Sequence, residues 1–470
     1  VTTPGDDALG EDDAWTLRER LHRREVSPGE LAAAARQRLA RSTALNAVTC
    51  ETDVPQFGDH DAPLLGIPTV IKDNENLTGY PTLHGSAAMP TRPATADSPW
   101  VAQYRDLGVM PIAKTTLPEF GLTASTESTR FGATRNPWNL DYSVGGSSGG
   151  SAALVAAGVV PIAHANDGGG SVRIPAAACG LVGMKTTRGR IIDVPELDRL
   201  PINLVTQGVV TRSVRDSALY LYAAEQAYRN PALPPIGFVR APKKERLRIA
   251  VMRSSVRSMP IDSETLYALD QAAVACERLG HRVDVVPHPM PDRFADDFLR
   301  YWALLGGVLA FFGGRMMGTP DFDGSKVEVF TRGLGRLLLQ QLERVPGALR
   351  RLKVSAQAPV PLADAYDVVL SPVLSHPAPR IGELGPDVPF RTHLARLVRY
   401  SCFTPLANIT GAPALSLPIG RTSDGRPIGV QACADRGREA TLLSLGYELE
   451  EALPWPRIAP PVTGTFGGRS

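Results

Sequence analysis

Three side chains able to move protons stand in unusual settings along the chain. Lys72 lies in Ile71-Lys72-Asp73-Asn74, and Ser147 in Gly145-Gly146-Ser147-Ser148-Gly149-Gly150-Ser151. Ser171 ends Asn166-Asp167-Gly168-Gly169-Gly170-Ser171 and is followed by Val172-Arg173-Ile174-Pro175. A serine hydroxyl is a useful nucleophile only when a nearby base takes its proton. A second serine can donate and accept at once, and so can pass that proton on. A lysine can be the base if burial drives it neutral. Consecutive glycines leave backbone N–H groups able to converge on one point, as an oxyanion requires. Each piece also has an ordinary reading. Gly-Gly-Ser alone marks a tight packing crossover, and a lysine after an apolar strand commonly snorkels at a sheet end. The two serine turns together, with Arg173 and Pro175 at fixed offsets, are far more specific than either alone.

These residues need elements to hold them. Residues 152–157 are small and apolar with good helix propensity. Residues 159–163, interrupted by Pro161, suggest the start of a strand. Residues 64–71 read as a short buried strand, with Lys72 directly after it. A helix over 100–107 and a strand over 109–113 follow. The N-terminal part predicts a helix over 14–26, then a capping box at Ser27-Pro28-Gly29-Glu30 opening a helix to about Arg41. Further on, a strand at 247–252, a helix at 264–279 and a strand at 282–286 give the β-α-β order of an α/β sheet. Residues 367–373 read as another buried strand, and the proline-rich 231–237 as a linker that could bound a subdomain. Residues 298–318 are bulky and apolar. Plain core is the default there, although Trp302, Phe311 and Met316 are also what an adaptable substrate pocket would use.

The serine stretch resembles the signature of the amidase signature family of serine hydrolases. The resemblance extends from about residue 60 to the C-terminus and is weakest between about 287 and 360. Ser171 fits the family's nucleophile, with Asp167 upstream and Val172-Arg173-Ile174-Pro175 downstream. Ser147 fits its bridging serine, 24 residues earlier, whose peptide bond the family makes cis. Lys72 fits its base. The resemblance implies a Ser–cis-Ser–Lys triad, an oxyanion hole from Gly168, Gly169, Gly170 and Ser171, and supporting roles for Asp167, Arg173 and Ser148. Gly168 replaces a larger residue common in the family, which would widen the pocket floor. Ser148 is the nearest rival for the relay and Ser151 a weaker one. Lys114 and Glu119 match a family segment that carries no catalytic group, so they are expected to be structural. Within the family, the wording around Ser171 is similar to the bacterial branch that includes 6-aminohexanoate cyclic-dimer hydrolase.

The implied fold is α/β: one amidase domain over 1–470, with a mixed central sheet flanked by helices. Its N-terminal helices lie at about 14–41, its signature core at about 64–216 and a more variable pocket region at about 287–360. The implied reaction is hydrolysis of a small linear, cyclic or aryl amide through a seryl acyl-enzyme, with no cofactor and no metal. Lys72 must then be a neutral amine, and Asp73 must point to the opposite face of the extended chain. Two rivals stand beside this reading: the glutaminase subunit of a tRNA-dependent amidotransferase, and a non-catalytic binding protein of the same fold. A Ser-His-Asp hydrolase has poor support, because no Gly-x-Ser-x-Gly elbow with a compelling downstream histidine is present. His84, His164 and His376 read as structural or pocket-lining.

Bulk properties agree. The formal net charge is only +2, so nothing points to nucleic acid or anionic membranes as partners. A small-molecule amide is the expected partner, and family members sometimes form homodimers through their N-terminal helices. The five cysteines, Cys50, Cys179, Cys276, Cys402 and Cys433, form no C-x-x-C pair and read as reduced thiols. The acidic start (Asp6, Asp7, Glu11, Asp12, Asp13) lacks the pattern of a secretory signal. The apolar run 302–314 is too short to span a bilayer. The expected location is the cytoplasm.

Overall fold

The computed structural model describes residues 7–53, 62–193 and 200–460; Asp6 of the acidic start lies outside them. An eight-stranded mixed sheet forms the centre. Its strand order is Arg282–Val286, Arg248–Met252, Val368–Pro372, Pro427–Cys433, Ala414–Arg421, Val182–Lys185, Thr206–Thr211 and Ile162–Asp167. The first three run parallel, joined by crossover helices, and every later pairing is antiparallel. Parallel neighbours require such crossovers, as the β-α-β reading anticipated. Helices flank the sheet, and the α/β class is as expected.

A second, three-stranded sheet runs Val48–Glu51, Met110–Thr115, Pro68–Lys72. Its Pro68–Lys72 strand lies beside the edge strand Ile162–Asp167, where Thr69 Oγ1 donates to Ile162 O at 2.9 Å. That neighbourhood brings the Lys72 segment against the serine segments.

Local chemistry set most element ends. Ser27 and Glu30 form the capping box, opening the helix Pro28–Arg41. The preceding helix, Ala14–His22, stops earlier than expected, because the chain turns at Arg24 in the left-handed region (φ 58°) to reach that cap. The strand expected from residue 159 starts only at Ile162. Pro161 has no N–H to give to a ladder, so pairing begins after it. Residues 208–216 divide: the first part ends the strand Thr206–Thr211, and Ser213 then caps the helix Val214–Ala227 by accepting from Asp216 N.

The bulky 298–318 segment belongs to a long amphipathic helix, Arg293–Met316. With the helices Val329–Gln340, Val345–Gln357 and Phe390–Tyr400 it contributes to two smaller apolar clusters, distinct from the main core around the sheet. Among the described residues, no helix is long and apolar enough to cross a membrane.

Candidate active site

The strand Ile162–Asp167 supplies residues to two sides. Alternate side chains of a strand face opposite ways, so His164 and Asn166 share one face and Asp167 takes the other. On the first side stands Lys72, the last residue of its strand and 1% exposed. Its Nζ lies 2.7 Å from Ser147 Oγ, 3.0 Å from Ser148 Oγ and 2.6 Å from Asn166 Oδ1. Burial pulls this amine down, nearby Asp167 and Glu75 oppose that, and the balance leaves its pKa at about 7. Asp73 does turn away. It pairs with Lys114 at 2.8 Å in a fully buried ion pair.

Beneath Lys72 a chain of hydrogen bonds fixes the strand. The Lys72 backbone N–H donates to His164 Nδ1, so His164 holds its proton on Nε2 and faces Gln207 Oε1 at 3.0 Å. Gln207 Nε2 in turn donates to Glu75 Oε1 at 2.8 Å. Burial lowers the His164 pKa to about 3, which keeps the ring neutral and its Nδ1 free to accept. His164 is therefore structural. The His376 ring packs at a tilt against Tyr400 instead, with centroids 4.8 Å apart, and the His84 ring lies 6.5 Å from that of Phe120.

The two serine turns meet this cluster from different elements. The Gly146–Ser147 peptide is cis. A Cβ at Gly146 would lie 2.8 Å from Ser125 N, so only glycine fits there. Directly after it, the fully buried helix Gly149–Ala156 carries the chain away. Ser151 lies on that helix and bonds Thr115 Oγ1 at 2.9 Å rather than the lysine. Ser171 lies between the strand and the helix Arg173–Cys179. Gly170 enters that turn at φ +129°, with Thr404 Oγ1 only 2.5 Å from where a Cβ would sit. Ser171 lines a cavity, and among the described residues its hydroxyl has no hydrogen-bond partner. Catalytic hydrogen bonds are often loose before substrate binds.

On the other face of the strand, Asp167 anchors the turn. Arg173 reaches its carboxylate through Nε and Nη2, both at 3.0 Å, and Asn408 Nδ2 adds a bond at 2.8 Å. Burial alone would raise the Asp167 pKa, but the Arg173 charge and these bonds outweigh it and hold the carboxyl well below its usual range. Asp167 also accepts the Gly170 N–H at 2.8 Å and the Val172 N–H at 3.2 Å. This corrects one expectation. The Gly170 N–H is already engaged, which leaves Gly168, Gly169 and Ser171 as the available donors of the four. Nor does Gly168 widen a pocket floor, because a Cβ there would meet Val205 Cγ2 at 3.3 Å.

The cavity encloses about 780 Å³, open solvent at its mouth included. Trp302 lines it and packs over the turn that carries Ser171, 3.5 Å from where a Gly169 Cβ would sit. Phe311 and Met316 do not line it; they are 49% and 53% exposed. A helix advances about 1.5 Å per residue, so they lie roughly 14 and 21 Å further along the axis than Trp302. Phe294, Phe298 and Leu299, on the earlier turns, line the cavity in their place. Glu119 is structural, accepting from Ser86 Oγ and Thr331 Oγ1, both at 2.6 Å.

Asn166 and Asn408 were not assigned from the sequence. The strand parity of His164 and Asn166 could have shown the first. The second is 241 residues from Asp167, and no local pattern could join them.

The two serine turns both border one largely apolar cavity, through Gly146 and Ser171, and the buried amine contacts the first of them. The profile of the family described as Amidase matches residues 30–443, and the chain belongs to that family, as a hydrolase of C–N bonds other than peptide bonds. The chain is 45% identical over 464 residues to a Mycobacterium tuberculosis protein named amidase AmiC, covering 97% of this chain and 98% of that one. It is 35% identical over 426 residues to 6-aminohexanoate-cyclic-dimer hydrolase of a Pseudomonas species, covering 84% of each. The solved structure of 6-aminohexanoate cyclic dimer hydrolase with its substrate superposes with a TM-score of 0.83 at 30% identity, over 95% of this chain and 98% of that one.

Proposed function

We propose that the protein hydrolyses the C–N bond of a small carboxamide through a seryl acyl-enzyme, with Ser171, Ser147 and Lys72 as its catalytic triad. The observation that carries this reading is the Lys72–Ser147 contact of 2.7 Å in a site that brings the amine's pKa to about 7. Near neutral pH much of that amine is unprotonated and can act as a base.

In the first half-reaction Ser171 Oγ attacks the amide carbonyl. Its proton passes to Ser147 Oγ, while the Ser147 proton passes to Lys72 Nζ. The N–H groups of Gly168, Gly169 and Ser171 stabilise the tetrahedral oxyanion. As the C–N bond breaks, Lys72 returns a proton through Ser147 to the leaving nitrogen. Water then attacks the acyl-enzyme by the same route reversed, releasing the acid and restoring Ser171. Ser148 and Asn166 hold the lysine in place, and Asp167 with Arg173 holds the turn that carries Ser171.

The glutaminase alternative is less favoured, because among the described residues no charged side chain lines the cavity to meet glutamine's ammonium and carboxylate. The test is a fluorophosphonate label followed by peptide mass spectrometry. The adduct is expected on Ser171, and Ser171→Ala should abolish both label and turnover, a loss of at least ~3 kcal/mol of transition-state stabilisation. A folded Ser171→Ala enzyme with near-normal kcat removes the assignment. An unlabelled, inactive wild type favours the non-catalytic reading.

A further inference from the structure

The polar side chains around the cavity are already committed elsewhere. Trp302 Nε1 donates to Leu122 O at 3.1 Å, Thr123 Oγ1 to Ser125 O at 3.0 Å, and Ser401 Oγ to Leu397 O at 2.8 Å. Burial pushes the Cys402 thiol up to about 12, so it stays neutral. The remaining wall is apolar, with Phe294, Phe298 and Leu299 on one helix and Leu394, Leu397 and Val398 on another. Among the described residues no lysine, arginine, histidine, aspartate or glutamate lines it. Polar anchoring is thus confined to the reacting centre, where the Ser171 hydroxyl is unpartnered.

We infer that this cavity selects amides whose substituent is uncharged and apolar, and rejects substituents carrying a carboxylate or an ammonium group. The inference rests on the amide-hydrolase reading and adds the substrate class. Binding a charged substituent there would strip its hydration and return no counter-charge. An alkyl or aryl substituent loses nothing polar and gains contact with the walls. The committed hydroxyls matter as much as the missing charges. A free serine or threonine hydroxyl would have donated a hydrogen bond to a carboxylate, and here those protons are spent on backbone carbonyls, which leaves an ammonium only neutral acceptors.

A matched set of three amides tests this: octanamide, 7-carbamoylheptanoate and 8-aminooctanamide. They share a chain length and differ at the far end in being neutral, anionic or cationic. Octanamide should exceed both charged amides in kcat/KM by at least about 100-fold. Turnover of either charged amide within tenfold of octanamide overturns the inference and leaves the amidase reading standing. Binding to Ser171→Ala, followed by calorimetry, separates the two in the other direction. Octanamide binding with no detectable binding of the charged pair supports the selectivity even if no amide is turned over. Equal binding of all three, or binding of a charged amide alone, overturns it.

A second variant reads the wall itself. Leu394→Arg, with Val398→Arg as the substitute if the first does not fold, should raise kcat/KM for 7-carbamoylheptanoate relative to octanamide at least tenfold. It should leave 8-aminooctanamide disfavoured. An unchanged ratio in a folded variant shows that these walls do not set the preference and overturns the inference.

Discussion

At the scale of single residues, Lys72 is defined by what surrounds it. Its partners are hydroxyls and an amide oxygen, and its neighbour Asp73 is neutralised elsewhere by Lys114. Desolvation therefore sets its pKa, at about 7 against an ordinary value of ~10.4. Only the neutral amine accepts a proton, so kcat/KM should rise with pH through an acidic limb near 7. Lys72→Ala should lose activity and that limb together. Lys72→Arg should not restore it, because a guanidinium stays protonated. A pH–rate profile of wild type and both variants, with folding checked by circular dichroism, decides the point. A persisting acidic limb in an active Lys72→Ala enzyme would assign the base elsewhere.

At the scale of elements, the site is a strand–turn–helix unit clamped from behind. Arg173 is fully buried and gives hydrogen bonds to Asp167, Gln431, Asn408 and the Thr404 carbonyl. One guanidinium thus joins the turn that carries Ser171 to the strand Pro427–Cys433 and the short helix Pro405–Thr410. Removing it leaves Asp167 buried and unpaired, which costs about 3–5 kcal/mol in such settings. Arg173→Met should lower the unfolding free energy read from urea titration by that much, and lower kcat. Adding Asp167→Asn should recover part of the stability, because no charge then remains to be compensated. A double variant no more stable than Arg173→Met would show that the clamp does not act through this ion pair. The substrate wall follows helix geometry in the same way. Trp302 and Phe298 share the cavity face, whereas Phe311 and Met316 have moved beyond it.

At the scale of the whole molecule, burying ionisable groups ties stability to pH. Lys185 is 1% exposed and donates to the Thr186 and Ala412 carbonyls at 2.8 and 2.9 Å. Burial, reinforced by the nearby Arg173 charge, lowers its pKa to about 7. Between about 7 and ~10.4 the unfolded chain binds a proton at this site that the folded chain does not, so stability from this group rises with pH across that window. Below about 7 the lysine is charged in both states and its burial cost is complete. Relative to Lys185→Met, the wild type should therefore gain up to about 2 kcal/mol between pH 7 and pH 9. Parallel urea titrations of the two proteins at both pH values measure this, and a pH-independent difference would contradict it.

The sequence by itself determined the local chemistry: the capping box at Ser27, the β-α-β run, the family, and the positions of Lys72, Ser147 and Ser171. These follow from short-range rules, in which a residue's type and near neighbours fix its backbone or identify a motif. Tertiary structure alone decided which groups those residues meet. The Gly170 N–H is engaged because the Asp167 carboxylate folds back onto its own turn. Asn408 reaches Asp167 only because distant segments pack together. Residues 298–318 look apolar along the chain apart from Arg300 and Arg315, yet only one face of the early turns of their helix borders the cavity. Composition records how much apolar surface a segment carries, whereas the packing of neighbouring helices determines which part is left open to a substrate.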